Sequence, residues 1–173
     1  MNNPNIFLSV AWPFTKKQAH FMEQVQLYFS QKGYLLNKVE IQRNNQNSTI
    51  KEVLNTMVKC DGMIVIAFKR MEIRNGIIRP NCDLDKGSKY YKSSEIITSK
   101  FRTSDWCNIE IGMAFGMNLP ILIFLDDSIM GQEIYVDEGI QIIHFNLDKQ
   151  EYDLKSRISK EWLEKVKEWE KRL

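Results

Sequence analysis

The fold this sequence predicts is a single α/β domain, built on a mostly parallel, doubly wound sheet of five strands with helices on both faces. Three observations predict it. The runs Met63-Ile64-Val65-Ile66-Ala67-Phe68 and Pro120-Ile121-Leu122-Ile123-Phe124-Leu125 are short, continuous and apolar rather than alternating, as strands buried on both faces of a parallel sheet must be. Segments with apolar residues at helical spacing separate such runs. The 173 residues, 43% of them hydrophobic, supply material for one core and not comfortably for two.

In chain order, Ile6, Phe7, Leu8, Ser9 and Val10 form a first strand that stops where Pro13 removes a backbone donor and holds Trp12 extended. Across 16–32, Ala19, Met22, Val25, Tyr28 and Phe29 repeat at helical spacing, and Gly33 supplies the C-terminal stop. Segment 34–39 reads as a second strand. Ser48 or Thr49 can cap a helix bearing Ile50, Val53, Leu54, Met57 and Val58, which ends before Asp61-Gly62 and the third strand, 63–68.

Segment 70–102 is of another kind. It is polar, carries the turn signals Asn75-Gly76, Pro80-Asn81 and Lys86-Gly87, and shows no sustained period, so an insertion without regular structure is expected. Its eight Lys or Arg against four Asp or Glu make it basic; loops of this length are functional lids, disordered segments or simply solvated. A helix then begins near Asp105 and ends at Gly116. The fourth strand is 120–125, a loop covers 126–139, and Gln141, Ile142, Ile143, His144 and Phe145 make the fifth strand. From Leu154, Ile158, Trp162, Val166, Trp169 and Leu173 step by three or four, giving a terminal helix over 154–173 whose tryptophans cover the core.

Right-handed crossovers and the small flavodoxin-like strand order 2-1-3-4-5 follow as the expected topology. Ligands of such sheets bind at the strands' carboxyl ends, where the order reverses between the first and third strands. The loop 11–14, the start of the insertion and the start of the 105–116 helix all fall there.

Composition narrows the chemistry. A net charge of +2, from 24 basic and 22 acidic residues, argues against a nucleic-acid or anionic-membrane partner. Cys60, Cys82 and Cys107 are scattered and lack a CxxC spacing, and only His20 and His144 exist, so a reducing cytoplasm is expected and a zinc site is not. No apolar run approaches the ~18 to 20 residues of a membrane span. Neither GxGxxG nor GxxxxGK[ST] follows the first strand, which removes Rossmann and P-loop cofactor chemistry, and no cofactor is expected. A Gly-x-Ser-x-Gly elbow is also missing.

What remains is Glu110, a lone carboxylate in a helix that reads as apolar nearly all round. Trp106, Met113, Ala114 and Met117 share its face, while Cys107, Ile111 and Phe115 form a second stripe. Coverage on most sides is therefore expected, and a carboxylate so placed loses hydration unless a partner, a raised pKa or a ligand compensates. A helix-edge position or an ion pair to a distant base is the competing reading. The aromatic rings of Trp12, Phe14, Phe68 and Trp106 can stack a nucleobase, and a carboxylate facing ribose can stabilise the cationic carbon formed when an N-glycosidic bond breaks.

The segment Ser104-Asp105-Trp106-Cys107-Asn108-Ile109-Glu110 resembles the Ser-x-Trp-Cys-x-x-Glu motif of Toll-type receptor (TIR) domains. The longer pattern Glu110-Ile111-Gly112-Met113-Ala114, followed by Pro120-Ile121, is similar to nucleoside 2-deoxyribosyltransferases and nucleotide N-glycosidases, and with Phe7-Leu8-Ser9, Pro13-Phe14 and Cys60-Asp61-Gly62 the likeness runs from about Asn5 to Phe145. It implies a catalytic Glu110 and an N-glycosidase that cleaves NAD or a related nucleotide, hydrolysing or cyclising it, with NAD as substrate and not cofactor. It also implies a bacterial stand-alone protein of antiphage defence or signalling, acting as a homo-oligomer or with an effector protein. Where deoxyribosyltransferases carry Asp-x-Gly before the helix, this chain has Ser104-Asp105-Trp106. Base transfer by a 2-deoxyribosyltransferase and a non-catalytic nucleotide-sensing or interaction module are the alternatives. Ser9 and Asp105 complete the candidate substrate contacts. Arg70, directly after the third strand, is the candidate for the substrate's phosphate, with an ion pair to Glu110 as its competing use.

Overall fold

The computed structural model describes residues 3–39, 49–131, 139–149, 152, 154 and 159–173. In chain order the elements are β1 (Asn5–Val10), α1 (Lys16–Gln31), β2 (Leu35–Asn37), α2 (Thr49–Met57), β3 (Gly62–Ala67), β4 (Met71–Ile78), β5 (Glu95–Arg102), α3 (Asp105–Gly116), β6 (Ile121–Asp126), β7 (Ile140–Phe145) and α4 (Lys160–Glu170). The main sheet runs β2-β1-β3-β6-β7 and all its pairings are parallel, which is the expected five-stranded order with β6 and β7 as fourth and fifth strands. Every residue of β3 and β6 is buried, as the unbroken apolar runs require.

One face of the sheet carries α1 and α4, which meet through rings. Phe21 meets Trp162 edge-on at 6.3 Å and Phe29 meets Trp169 edge-on at 5.8 Å, while Phe21 also stacks on Phe145 of β7 at 4.4 Å. Trp169 is fully buried and its indole N–H donates to the Pro120 carbonyl (2.9 Å), while Trp162 is half-buried and stacks on Tyr152. The other face carries α3, which packs on β1, β3 and β6, and α2 beside it. Helices at both faces follow from right-handed crossovers in either direction along the sheet.

Helix ends are set by local chemistry. Thr15 caps α1 by accepting from the Gln18 N–H (3.1 Å), and Gly33, at φ +89°, takes the left-handed position after it. At the end of α3 that position belongs to Asn118 (φ +58°) and not to a glycine; Asn118 N–H donates to Phe115 O and Leu119 N–H to Ala114 O. Gly116 is the helix's last residue. Ser104 occupies the N-cap without a side-chain bond, and Asp105 lies in the first turn, where a carboxylate faces the positive end of the dipole.

Four expectations are corrected. The second strand is shorter than 34–39. Thr49 is already helical in α2, and Ser48 lies outside the described residues. The terminal helix begins at Lys160, Leu154 being a buried residue outside it, and 155–158 with Ile158 lie outside the described residues, as does 132–138 of the loop before β7. Segment 70–102 is not irregular: β4 and β5 form an antiparallel ribbon, a separate two-stranded sheet. Its strands are exposed on most of their length, so no buried face imposes an alternation. Asn75-Gly76 is not a turn but lies within β4 opposite Thr98 and Ile97; a Cβ on Gly76 would stand 3.1 Å from the Ile97 side chain, which rests on it.

Among the described residues no helix is long and apolar enough to cross a membrane.

Candidate active site

At the carboxyl ends of β1 and β3, where the strand order reverses, lies a cleft of about 220 Å³. β1 contributes Leu8, Ser9 and Val10, and the loop after it Trp12. Arg70 enters from the end of β3. The first half of α3 supplies Ser104, Trp106, Cys107 and Glu110. Lys38 and Val39, just past β2, and Met22 of α1 close the remaining sides.

Glu110 is partly buried, and burial pushes its pKa above the ordinary carboxylate value; the Ser9 hydroxyl acts in the opposite, lowering direction. No Lys or Arg pairs with it among the described residues, and the alternative ion pair with Arg70 is not formed. Burial also raises the Cys107 thiol, to about 11, with the Glu110 charge adding to the rise and the Ser9 and Thr103 hydroxyls and the Ala11 backbone opposing it. At neutral pH that thiol stays protonated and unreactive. Ser9 Oγ and Thr103 Oγ1 are buried hydroxyls with no hydrogen-bond partner of good geometry, although both lie near enough to Cys107, and Ser9 to Glu110, to affect their charge. Unpaired buried hydroxyls of this kind call for an explanation.

Of the sequence candidates, Ser9, Trp12, Arg70, Trp106 and Glu110 line the cleft, and three do not. Phe68 is fully buried and packs edge-on against Phe21 and Phe145, so it is a core ring and not a stacking platform. Phe14 is 59% exposed and lies under the Arg70 guanidinium, 5.8 Å from its carbon. Asp105 is exposed and pairs with Arg102 at 2.9 Å. The covered helix is also corrected: α3 buries Cys107, Ile111 and Ala114 but leaves Ile109 and Phe115 about half exposed, so it is covered on one side only.

Sequence reasoning missed Lys38, Val39, Met22, Ser104 and Cys107. The first two were within reach, because strand order 2-1-3 puts the end of the second strand beside the end of the first. Cys107 precedes Glu110 by three residues, so the stripe assigned to it borders the face of Glu110 and both reach the cleft. Among the described residues no group of three or more His, Cys, Asp or Glu converges as a metal site.

Chemically, the cleft joins a desolvated carboxylate, two indole rings and a guanidinium. Such a set can hold a base, a sugar and an anionic group while placing negative charge against one carbon of the sugar.

No protein-family model matches the chain, and no curated protein does. Among solved structures, the Clostridium botulinum CMP N-glycosidase BcmB superposes with a TM-score of 0.51 at 16% identity, over 94% of this chain and 98% of that one. A conserved protein from Enterococcus faecalis V583 aligns over 99% of both chains at 11% identity, with a TM-score of 0.47. At these identities the likeness is one of fold. The expected resemblance therefore stands at its coarser level, a fold shared with a CMP N-glycosidase, and not at that of a TIR or deoxyribosyltransferase superfamily.

Proposed function

We propose that the protein is an N-glycosidase that breaks the bond between a base and the ribose of a nucleotide, with Glu110 opposing the positive charge that develops at C1′. The observation that carries this reading is a carboxylate desolvated within a cleft of about 220 Å³, paired with no cation among the described residues, in a lining that includes the indoles of Trp12 and Trp106. In the reaction the C1′–N bond breaks, water adds its hydroxyl to C1′ and its proton passes to the departing base, so that base and ribose derivative are released. The ionised carboxylate stabilises the oxocarbenium-like centre, directly or as a short-lived adduct.

The fold neighbour's substrate, CMP, supports a mononucleotide. So does the size of the cleft, since about 220 Å³ lies below the ~300 to 1,000 Å³ of common ligand sites and favours a small ligand over a dinucleotide. NAD cleavage or cyclisation, with its antiphage setting, and transfer of a 2-deoxyribosyl group to a second base are the finer versions that the same carboxylate can serve. Incubating the purified protein with CMP, other ribonucleotides, NAD and 2′-deoxynucleosides with a second base, followed by mass spectrometry, separates them by product. Glu110→Gln keeps the side-chain shape and removes the charge; it is expected to lower kcat by about 10² to 10⁴-fold. Full activity in that variant would remove Glu110 from the chemistry. Ligand-induced stabilisation with no product from any substrate would favour the binding module.

A further inference from the structure

Three cations stand at the root of the β4–β5 ribbon, and only one of them faces the cleft. Lys69 is ion-paired with Asp148 and lies over the Phe101 ring. Arg102 is ion-paired with Asp105. Arg70 lines the cleft and has no carboxylate partner among the described residues. Its position is nevertheless fixed. The Arg70 N–H donates to the Arg102 carbonyl (2.8 Å), Nη1 donates to the Trp12 carbonyl (2.6 Å), and the guanidinium rests on Phe14. An arginine has five N–H donors, so most remain after the Trp12 bond. A guanidinium held this way loses less freedom when it engages a ligand.

The cleft thus keeps Arg70 and Glu110 without letting them neutralise one another, with Lys38 a second basic residue in its lining. A ligand that satisfies both is negative at one end and presents an electrophilic carbon at the other. We propose that Arg70 anchors the 5′-phosphate of the substrate, so that the site takes nucleoside 5′-phosphates in preference to bare nucleosides. The proposal rests on the N-glycosidase reading for the position of C1′ at Glu110. Repulsion between phosphate and the Glu110 carboxylate then sets the direction of binding, with phosphate at Arg70 and C1′ at Glu110. Arginine suits this role because its planar fork meets phosphate oxygens two at a time.

The test compares CMP with cytidine on the wild-type protein, Arg70→Ala and Arg70→Lys. The wild type is expected to prefer CMP in kcat/KM, and Arg70→Ala to reduce that preference by about tenfold to a hundredfold, through KM more than kcat. Arg70→Lys keeps charge without the fork and should lie between. Equal losses on CMP and cytidine, or a wild type indifferent to the phosphate, overturn the proposal and leave Arg70 a clamp between the β1 loop and the ribbon. Calorimetry of CMP and cytidine binding to the same three proteins decides independently of turnover. Arg70-dependent preference for CMP without any base release would uphold the anchor and sink the N-glycosidase reading, whereas base release without that preference would do the reverse.

Discussion

Glu110 is under two opposing influences, burial that raises its pKa and the Ser9 hydroxyl that lowers it, and the reaction needs the ionised form. Activity must therefore fall as pH drops through the raised pKa, which puts the acid limb of kcat/KM above the ordinary carboxylate range. Ser9→Ala removes the lowering influence while keeping the backbone of β1, so its acid limb should lie at higher pH than that of the wild type, with the plateau less affected. A pH–rate profile that does not move would leave Ser9 a packing residue. Glu110 was legible in the sequence because a single acid among Trp106, Met113, Ala114 and Met117 breaks the pattern of its helix. Trp12 and Arg70 were legible for another reason, since each directly follows a strand at the switch point. Phe68 was misread because a continuous apolar run carries no sign of where buried strand gives way to exposed loop, and its ring turned inward to meet Phe21 and Phe145.

Elements that bury a defined stripe were readable and those that do not were misread. The terminal helix α4 has one apolar stripe, and Trp169 on it fills the space between α1 and the start of β3. A Cβ on Gly62 would meet the Trp169 ring at 3.3 Å and the Pro120 carbonyl at 3.3 Å, so the helix sits directly on the strand. Trp169→Ala should cost roughly 3 to 5 kcal/mol, because it opens a cavity among Phe29 and Tyr34 and leaves the Pro120 carbonyl without its indole donor. Urea unfolding measures this directly, and a loss under about 1 kcal/mol would mean the helix contributes little to the core. In α3, Phe115 suggested cover that is absent, because apolar residue type does not report which side of a helix has a neighbour. The ribbon failed for the opposite reason. Ile73, Ile77, Ile96 and Ile97 favour strand, but with charges between them and Asn-Gly in the middle there was no period to detect.

Across the whole molecule, strand order was legible because parallel strands joined by right-handed crossovers leave few topologies, and the candidate site followed from the order. The sole buried residue between positions 71 and 102 is Ile97, and it packs on the ribbon's own Ile73 and Gly76. Contact with the body is concentrated at the root, where Arg70 N–H meets Arg102 O, Met130 N–H meets Phe101 O at 2.9 Å, and Lys69 lies over Phe101. A two-stranded sheet with one covered residue has little stability of its own, so the ribbon takes its order from the root rather than lending order to the five-stranded sheet. Glu72 and Phe101 are opposite each other in the register. Opposed antiparallel residues lie about 4.5 to 5.5 Å apart, so removing 73–100 and joining the two through Asn-Gly requires only a tight hairpin turn. Arg70, Phe101 and every cleft residue survive that excision. The shortened protein should unfold cooperatively, with a Tm within a few degrees of the full chain, and should retain the CMP preference ascribed to Arg70. Loss of cooperative unfolding would show that the body depends on the ribbon. A stable protein that no longer distinguishes CMP from cytidine would assign the phosphate contact to the ribbon's own basic residues rather than to its root.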